Sequence, residues 1–366
     1  MNQDRRRIIF LASREAGYSR VRVMGDALRS CFSVTEILSV RRSYPVRMIE
    51  VLWRFVFRRQ RRADVLVVGF LAQPLLPILR RLWKGPLVSD AFISLKDTLV
   101  EDRKRGVPGG LIDRLATTLD RFLVKNSDLV FCDTQAHAAY FQSRFGPTQA
   151  RFQRVWVGAP DLSTGVRCWR KPDRLDGPLR IFFYGSFIPL QGTDVIVEAA
   201  RRISAGEVVF RLAGEGPLWG RAKTAAAGLD HVTFLGWQTE ARLIEEMLQA
   251  DLCLGIFGAS PKASRVIPNK AYSALQLGAP LLTGDNPAIR ELLHPGVDVV
   301  ISRMNDPEAL VESLRWCASH REALARIGVA GAEVFRREAS TERLAGTMAR
   351  AIDELLECSP GEGGVL

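Results

Sequence analysis

Histidine is scarce in this 366-residue chain, with four copies, and the six cysteines (Cys31, Cys132, Cys168, Cys253, Cys317, Cys358) form no CxxC pair. That distribution argues against a structural zinc site and a disulfide scaffold, and it suits a reducing compartment. No apolar run reaches the length of a membrane span. The longest nearly apolar stretch, 65–79, is too short and holds Gln73, Pro74 and Pro77. A secretory signal is not expected, because the apolar run at 8–12 is far shorter than an h-region. No GxGxxG follows that first run, so a dinucleotide site is not expected there.

Length and charge are what the chain has. At 366 residues it exceeds one ordinary core, and two domains are expected. A hydrophobic content of 47% with 25% charged residues is that of a globular, water-soluble protein. The charge is uneven: residues 1–170 hold 30 Lys+Arg against 15 Asp+Glu, and the remainder holds 21 against 25. The basic half therefore calls for an anionic partner: a phosphorylated substrate, a membrane surface or, in last place, nucleic acid.

Apolar runs and helical periods alternate along both halves. Strands are expected at 7–12, 34–38, 64–70, 87–89 and 129–133, with helices at 21–30, 46–62, 111–126 and 135–145. After a Gly/Pro-rich linker at 158–178, strands are expected at 180–184, 208–213, 232–235, 252–257 and 281–283. Helices are expected at 194–203, 218–227 and 240–249. Alternation of this kind implies α/β architecture with parallel sheets covered on both faces. The domains are expected at 1–170 and 171–366, the second ending in a C-terminal helix.

The stretch 253–291 carries the sharpest chemical signal. An apolar strand is followed by a polar loop and then a short helix, with Pro268 just inside its start and Gly278 just past its end. Lys270 lies in its first turn and Arg265 in the loop before it. A helix N-terminus already bears partial positive charge, so two cations there make sense if an anion binds, the other reading being a solvated loop with stray charges. Glycine turns at 185–192 and 214–217 also follow strands, which places a ligand at the carboxyl edge of that sheet.

Residues 180–291 resemble the C-terminal half of retaining glycosyltransferases of the GT-B fold, family 4. FYGSFIPLQG is similar to the family's glycine loop under the donor diphosphate, and LAGEGP to its LxGxGP turn. HVTFLGW, ADLCLGIF and KAYSALQLGAPLLT, the last running on to Glu291, are similar to its following strands and nucleotide-binding helix. The first half resembles the acceptor domain more loosely, through YSRVR, SDAFISLKDT and DTQAHAAYF. The implied fold is α/β, two Rossmann-like domains facing across a cleft.

The resemblance implies donor contacts at Gly185, Ser186, Gln191, Gly192, Gly214, Glu215, Gly216, Asn269, Ser273 and Glu291. It implies acceptor contacts at Tyr18, Arg20, Asp90, Asp97 and His137. Two departures stand out. The family's Glu-x7-Glu positions read Arg265 and Ser273 here, and its loop Arg and Lys read Ser186 and Gln191. Arg265 and Lys270 are expected to take over stabilisation of the leaving diphosphate as the catalytic cations.

The implied reaction moves a sugar from a nucleotide sugar to a glycan, lipid-linked or small-molecule acceptor. Configuration is retained, and no metal or cofactor is needed beyond the nucleotide-diphosphate sugar as co-substrate. A non-catalytic nucleotide-sugar-binding protein and a sugar-nucleotide epimerase are the alternatives. No nucleic-acid partner is expected, since no base-reading or stacking motif accompanies the charge. The expected location is cytoplasmic, in polysaccharide biosynthesis. Residues 41–62, with eight arginines and one acid among apolar and aromatic residues, offer an anionic membrane surface as a candidate partner. A core-facing helix with solvated arginines is the other reading of that stretch.

Overall fold

A computed structural model describes residues 5–57, 63–102, 106–162, 168–170 and 176–358. Its contacts divide the chain into two units, residues 1–161 with 340–366, and residues 162–339.

The first unit holds β1 (Arg7–Leu11), α1 (Ser19–Cys31), β2 (Ser33–Ile37), α2 (Tyr44–Phe57), β3 (Val65–Val68), α3 (Leu76–Leu82) and β4 (Leu87–Asp90). It continues with α4 (Leu111–Asn126), β5 (Leu129–Cys132), α5 (Gln135–Phe145) and β6 (Arg151–Arg154). All six strands are parallel, in the order β2-β1-β3-β4-β5-β6. The central strands, such as Val65–Val68, are buried along their whole length, as strands covered on both faces must be. Thr134 caps α5 by accepting from the His137 amide, so α5 starts directly beyond β5.

The second unit holds β7 (Leu179–Tyr184), α6 (Thr193–Arg201), β8 (Val208–Ala213), α7 (Trp219–Ala225), β9 (Val232–Gly236), α8 (Glu240–Gln249) and β10 (Leu252–Leu254). It continues with α9 (Asn269–Leu277), β11 (Leu281–Gly284), β12 (Val300–Ser302), α10 (Pro307–Ser319) and α11 (Arg321–Val334). The order β12-β11-β10-β7-β8-β9 is again all parallel. It is the order of a dinucleotide-type fold, and the winding reverses between β7 and β10. The two strands meet there through Leu252↔Ile181 and Cys253↔Phe182.

The last helix, α12 (Thr341–Cys358), corrects the expected division. It belongs to the first unit, where its stripe of Leu344, Met348, Ile352 and Leu355 is buried and it packs along α1. Arg6–Asp353 and Arg151–Glu354 ion pairs and a Thr341–Asp161 hydrogen bond hold it there. A helical period predicts which stripe is buried but not which domain buries it.

The expected helix at 46–62 is described as far as Phe57; Arg58, Arg59, Arg61 and Arg62 lie outside the described residues. Arg47, counted among that helix's solvated charges, is buried instead. It donates to Ser13 and Arg41 carbonyls and pairs with Glu15. The strands β6 and β12 and the helices α10 and α11 were not anticipated.

Candidate functional site

The second unit's carboxyl edge is built by backbone packed on backbone. Gly192, at φ +65°, lies so close to Phe257 and Gly258 that a Cβ would stand 2.5 Å from the Gly258 nitrogen. Gly214, at φ +110°, abuts the Gly185 carbonyl, which leaves no room for any side chain. The loops after β7, β8 and β10 are thereby pressed together at the point where the winding reverses. Backbone hydrogen bonds Gly185 N–Ala213 O, Leu218 N–Phe187 O and Phe257 N–Gln191 O fasten them.

Phe187 anchors the first of these loops. Its backbone takes φ +43°, a region a bulky residue adopts only under constraint. The constraint is its ring, fully buried and edge-on to both Phe183 and Trp219. The burial holds the glycine loop in a fixed shape before any ligand arrives. Phe187, Gly258 and Thr193 are site-forming residues that the sequence analysis passed over. An aromatic within a glycine loop was the one available signal.

Among the described residues, the buried polar atoms without a hydrogen-bond partner include Gln191 Oε1, Thr193 Oγ1 and Lys270 Nζ in this region. Gln191 reaches back to Gly185, and Thr193 begins α6 immediately after Gly192. Lys270 is 5% exposed and sets its Nζ 3.6 Å from the centroid of the Phe183 ring and 5.9 Å from that of Tyr184. Burial alone drives its pKa well below the ordinary lysine value. Pro268 is the cap of α9 and not its first residue, so Asn269 and Lys270 open the helix. Arg265 is half-buried at the end of the short turn Pro261–Ser264.

The remaining donor candidates fall at the same edge with different exposures. Ser186, Glu215 and Gly216 are exposed, and Asn269 and Glu291 are half-buried. Ser273 is already engaged, accepting from the Tyr184 hydroxyl at 3.2 Å and donating to the Asn269 carbonyl at 3.3 Å.

In the first unit, the acceptor candidates all lie at the carboxyl edge of their sheet, but two of them satisfy each other. Arg20 and Asp90 form a fully buried fork, with bonds of 2.9 and 3.3 Å, and Arg20 also donates to the carbonyls of Val155 and Trp156. That arrangement joins α1, β4 and the segment after β6, a holding role. Asp97 is buried and accepts from the Tyr140 hydroxyl at 2.8 Å. Tyr18 is half-buried and packs its ring on Phe70, which meets Phe92 edge-on. His137 is fully buried, with Nδ1 2.7 Å from Asp133 Oδ1, while His137 Nε2 and Asp133 Oδ2 have no partner among the described residues. Asp133 was missed, although its place at a strand end four residues before the histidine was visible in the sequence.

No curated protein sequence matches this chain. Solved structures similar to it include the sucrose-phosphate synthase (tll1590) of Thermosynechococcus elongatus, 14% identical at a TM-score of 0.76, covering 97% of this chain and 100% of that one. Anabaena Alr3699/HepE in complex with UDP and glucose is 14% identical at 0.69, covering 95% and 100%. The lipopolysaccharide outer core galactosyltransferase WaaB, in its apo form, is 12% identical at 0.63, covering 95% and 99%. At these identities the likeness shows the fold, which is GT-B. Within the second unit, residues 178–320 match the family described as Glycosyl transferases group 1, so this unit carries a group 1 glycosyltransferase domain.

Proposed function

We propose that this protein is a glycosyltransferase that moves a sugar from a nucleotide-sugar donor to an acceptor, with retained configuration and without a metal ion. The observation that carries the donor site is the group of unpartnered buried atoms, Gln191 Oε1, Thr193 Oγ1 and Lys270 Nζ, at the reversal between β7 and β10. Leaving such atoms unmatched costs free energy that a polar ligand would recover. The glycine loop brings backbone close to where a diphosphate would lie, and the N-terminus of α9 favours negative charge.

In the reaction the bond from the anomeric carbon to the diphosphate oxygen breaks, a bond to the acceptor hydroxyl oxygen forms on the same face, and the hydroxyl's proton passes to the departing diphosphate oxygen. Charge builds on the departing diphosphate. Arg265, Lys270 and the backbone N–H groups of the loops are the groups placed to stabilise it. Gly185, Gly192, Gly214 and Gly216 supply the close backbone approach. Ser186, Gln191, Glu215, Asn269, Ser273 and Glu291 supply hydrogen bonds to sugar, ribose and base. On the first unit, Tyr18 and the His137–Asp133 pair are the groups that would meet an acceptor, because Arg20 and Asp90 are committed to each other and Asp97 accepts from Tyr140.

HepE structures contain UDP and UDP-glucose, so uridine diphosphate sugars are the first donors to test. Incubation of the protein with radiolabelled UDP-sugars, GDP-sugars and cell membranes should give a labelled glycoside. Nucleotide-sugar binding without transfer would favour a non-catalytic binding protein, and a free altered sugar would favour an epimerase.

A second reading concerns where the acceptor is met. On α2, Val51 and Phe55 face the core, whereas Val46, Ile49, Trp53 and Phe57 are exposed along one stripe. An exposed aromatic stripe within an arginine-rich stretch suits an anionic membrane surface, and with it a lipid-linked acceptor and a cytoplasmic, peripheral location. Among the described residues no helix is long and apolar enough to cross a membrane.

A further inference from the structure

The amine of Lys270 is the least ordinary titratable group in the second unit. It is buried at the second residue of α9, lies over the face of Phe183, and has no hydrogen-bond partner among the described residues. An ammonium in that place would lose its hydration and gain only the face of a ring. An amine in the same place is tolerated. The position is also the carboxyl end of β7, where Gln191 and Thr193 likewise hold buried oxygens without partners. We propose that Lys270 is uncharged while the site is empty and takes up one proton from solvent when a nucleoside diphosphate binds. Donor binding is then coupled to pH through this residue. The inference rests on the donor site proposed above.

The neighbouring charges do not supply an alternative. On α8, Glu245 and Glu246 pair with Arg242, and Glu246 also with Arg211. On α11, Arg321 pairs with Asp251, while Arg337 pairs with Glu338 in the segment beyond it. Glu240 completes the acids of α8, and Glu322, Arg326, Glu333 and Arg336 complete the charges of α11 and that segment. None of them contributes to the depression of Lys270, whose cause is burial alone. Behind α9, the Cys253 thiol of β10 is itself pushed up to about 12 by burial and stays neutral. On the β7 side, the Tyr184 phenol donates to Ser273. A bound diphosphate would bring opposite charge to this amine, and an opposite charge favours its protonated form.

The measurement is isothermal titration of the full chain with UDP at pH 8, in buffers of differing ionisation enthalpy, where the slope gives protons taken up per nucleotide. GDP and ADP serve as probes if UDP does not bind. The wild-type protein should take up close to one proton, and its Kd should rise about tenfold per pH unit between the pKa values of the empty and filled states. Lys270→Met should bind more weakly with no uptake, and Lys270→Arg should bind with no uptake. Binding by the wild type without uptake would overturn the inference and leave the donor site standing. Uptake by Lys270→Met equal to that of the wild type would also overturn it. If none of the three nucleotides binds, the donor site fails and the inference fails with it.

Discussion

Lys270 Nζ sits 3.6 Å from the centroid of the Phe183 ring, and no acceptor among the described residues meets it. Ser273 stands three residues on from this position, in α9. A carboxylate there would be one turn along the same helix face, within reach of a lysine. Ser273 instead takes the Tyr184 hydroxyl. α9 carries no acid, so no carboxylate of its own helix meets the amine.

This arrangement has a stability signature. The folded-state pKa of Lys270 is depressed, whereas in the unfolded chain the amine keeps its proton to about pH 10.4. Between those values the unfolded state binds more protons, so stability rises with pH across that window and falls as pH is lowered through it. Lys270→Met keeps the length and removes the amine. It should stabilise the empty protein at neutral pH by roughly 1–3 kcal/mol and flatten the rise toward alkaline pH. Thermal melts of both proteins from pH 7 to 10 read this. A variant that melts lower than wild type throughout would contradict it.

Arg20 should behave as a structural residue. Removing one member of a buried, hydrogen-bonded ion pair typically costs about 3–5 kcal/mol, because the other charge is left unpaired. Arg20→Ala should lose stability on that scale in urea, with Asp90 stranded. If the variant keeps its midpoint and loses only acceptor affinity, the sequence-level assignment of Arg20 and Asp90 as acceptor contacts is the better one.

Much of this was legible beforehand, for definite physical reasons. α4 and α5 match their expected bounds, 111–126 and 135–145, because apolar periodicity marks the first and the Thr134 cap marks the start of the second. β12 and β6 escaped notice because VIS and RFQR are too short or too polar to carry a strand signal, and each is defined by its neighbour in the sheet. At the site, the glycine turns and the cations were readable from spacing. The pairing of Arg20 with Asp90, 70 residues apart, was not, since nothing in the sequence separates a charge that meets a ligand from one that meets another charge. Phe187 was hidden for a related reason: its strained backbone follows from the packing of Phe183 and Trp219 around it.

Chelation should leave catalysis intact. The proposed chemistry neutralises diphosphate with Arg265, Lys270 and backbone N–H groups, so sugar transfer in the presence of EDTA should proceed within about twofold of the untreated rate, well under the tenfold that 1.36 kcal/mol of barrier would produce. Activity that disappears with EDTA and returns with Mg²⁺ or Mn²⁺ would contradict the metal-free reading.

The exposed face of α2 gives the last prediction. Ile49 and Phe57 are each 70% exposed and Trp53 is 57% exposed, with the Trp53 and Phe57 rings packed together at 4.9 Å. Water-exposed aromatics at this density are unfavourable unless something covers them for part of the protein's working life. Full burial of a side chain of this size contributes about 1.5–3 kcal/mol, and each nearby arginine adds about 1 kcal/mol at an anionic bilayer, screened by salt. The protein should therefore sediment with phosphatidylserine or phosphatidylglycerol vesicles at low salt, less so at high salt, and poorly with neutral vesicles. Replacing Ile49, Trp53 and Phe57 together with Gln should weaken vesicle binding at least about a hundredfold. The fold should survive, because Val51 and Phe55, which hold α2 to the core, are untouched. Nucleotide binding should not change, since its groups lie in the other unit. If the wild-type protein ignores anionic vesicles at low salt, α2 has no membrane role. If the triple variant binds them as well as the wild type does, the arginines act without the aromatic stripe.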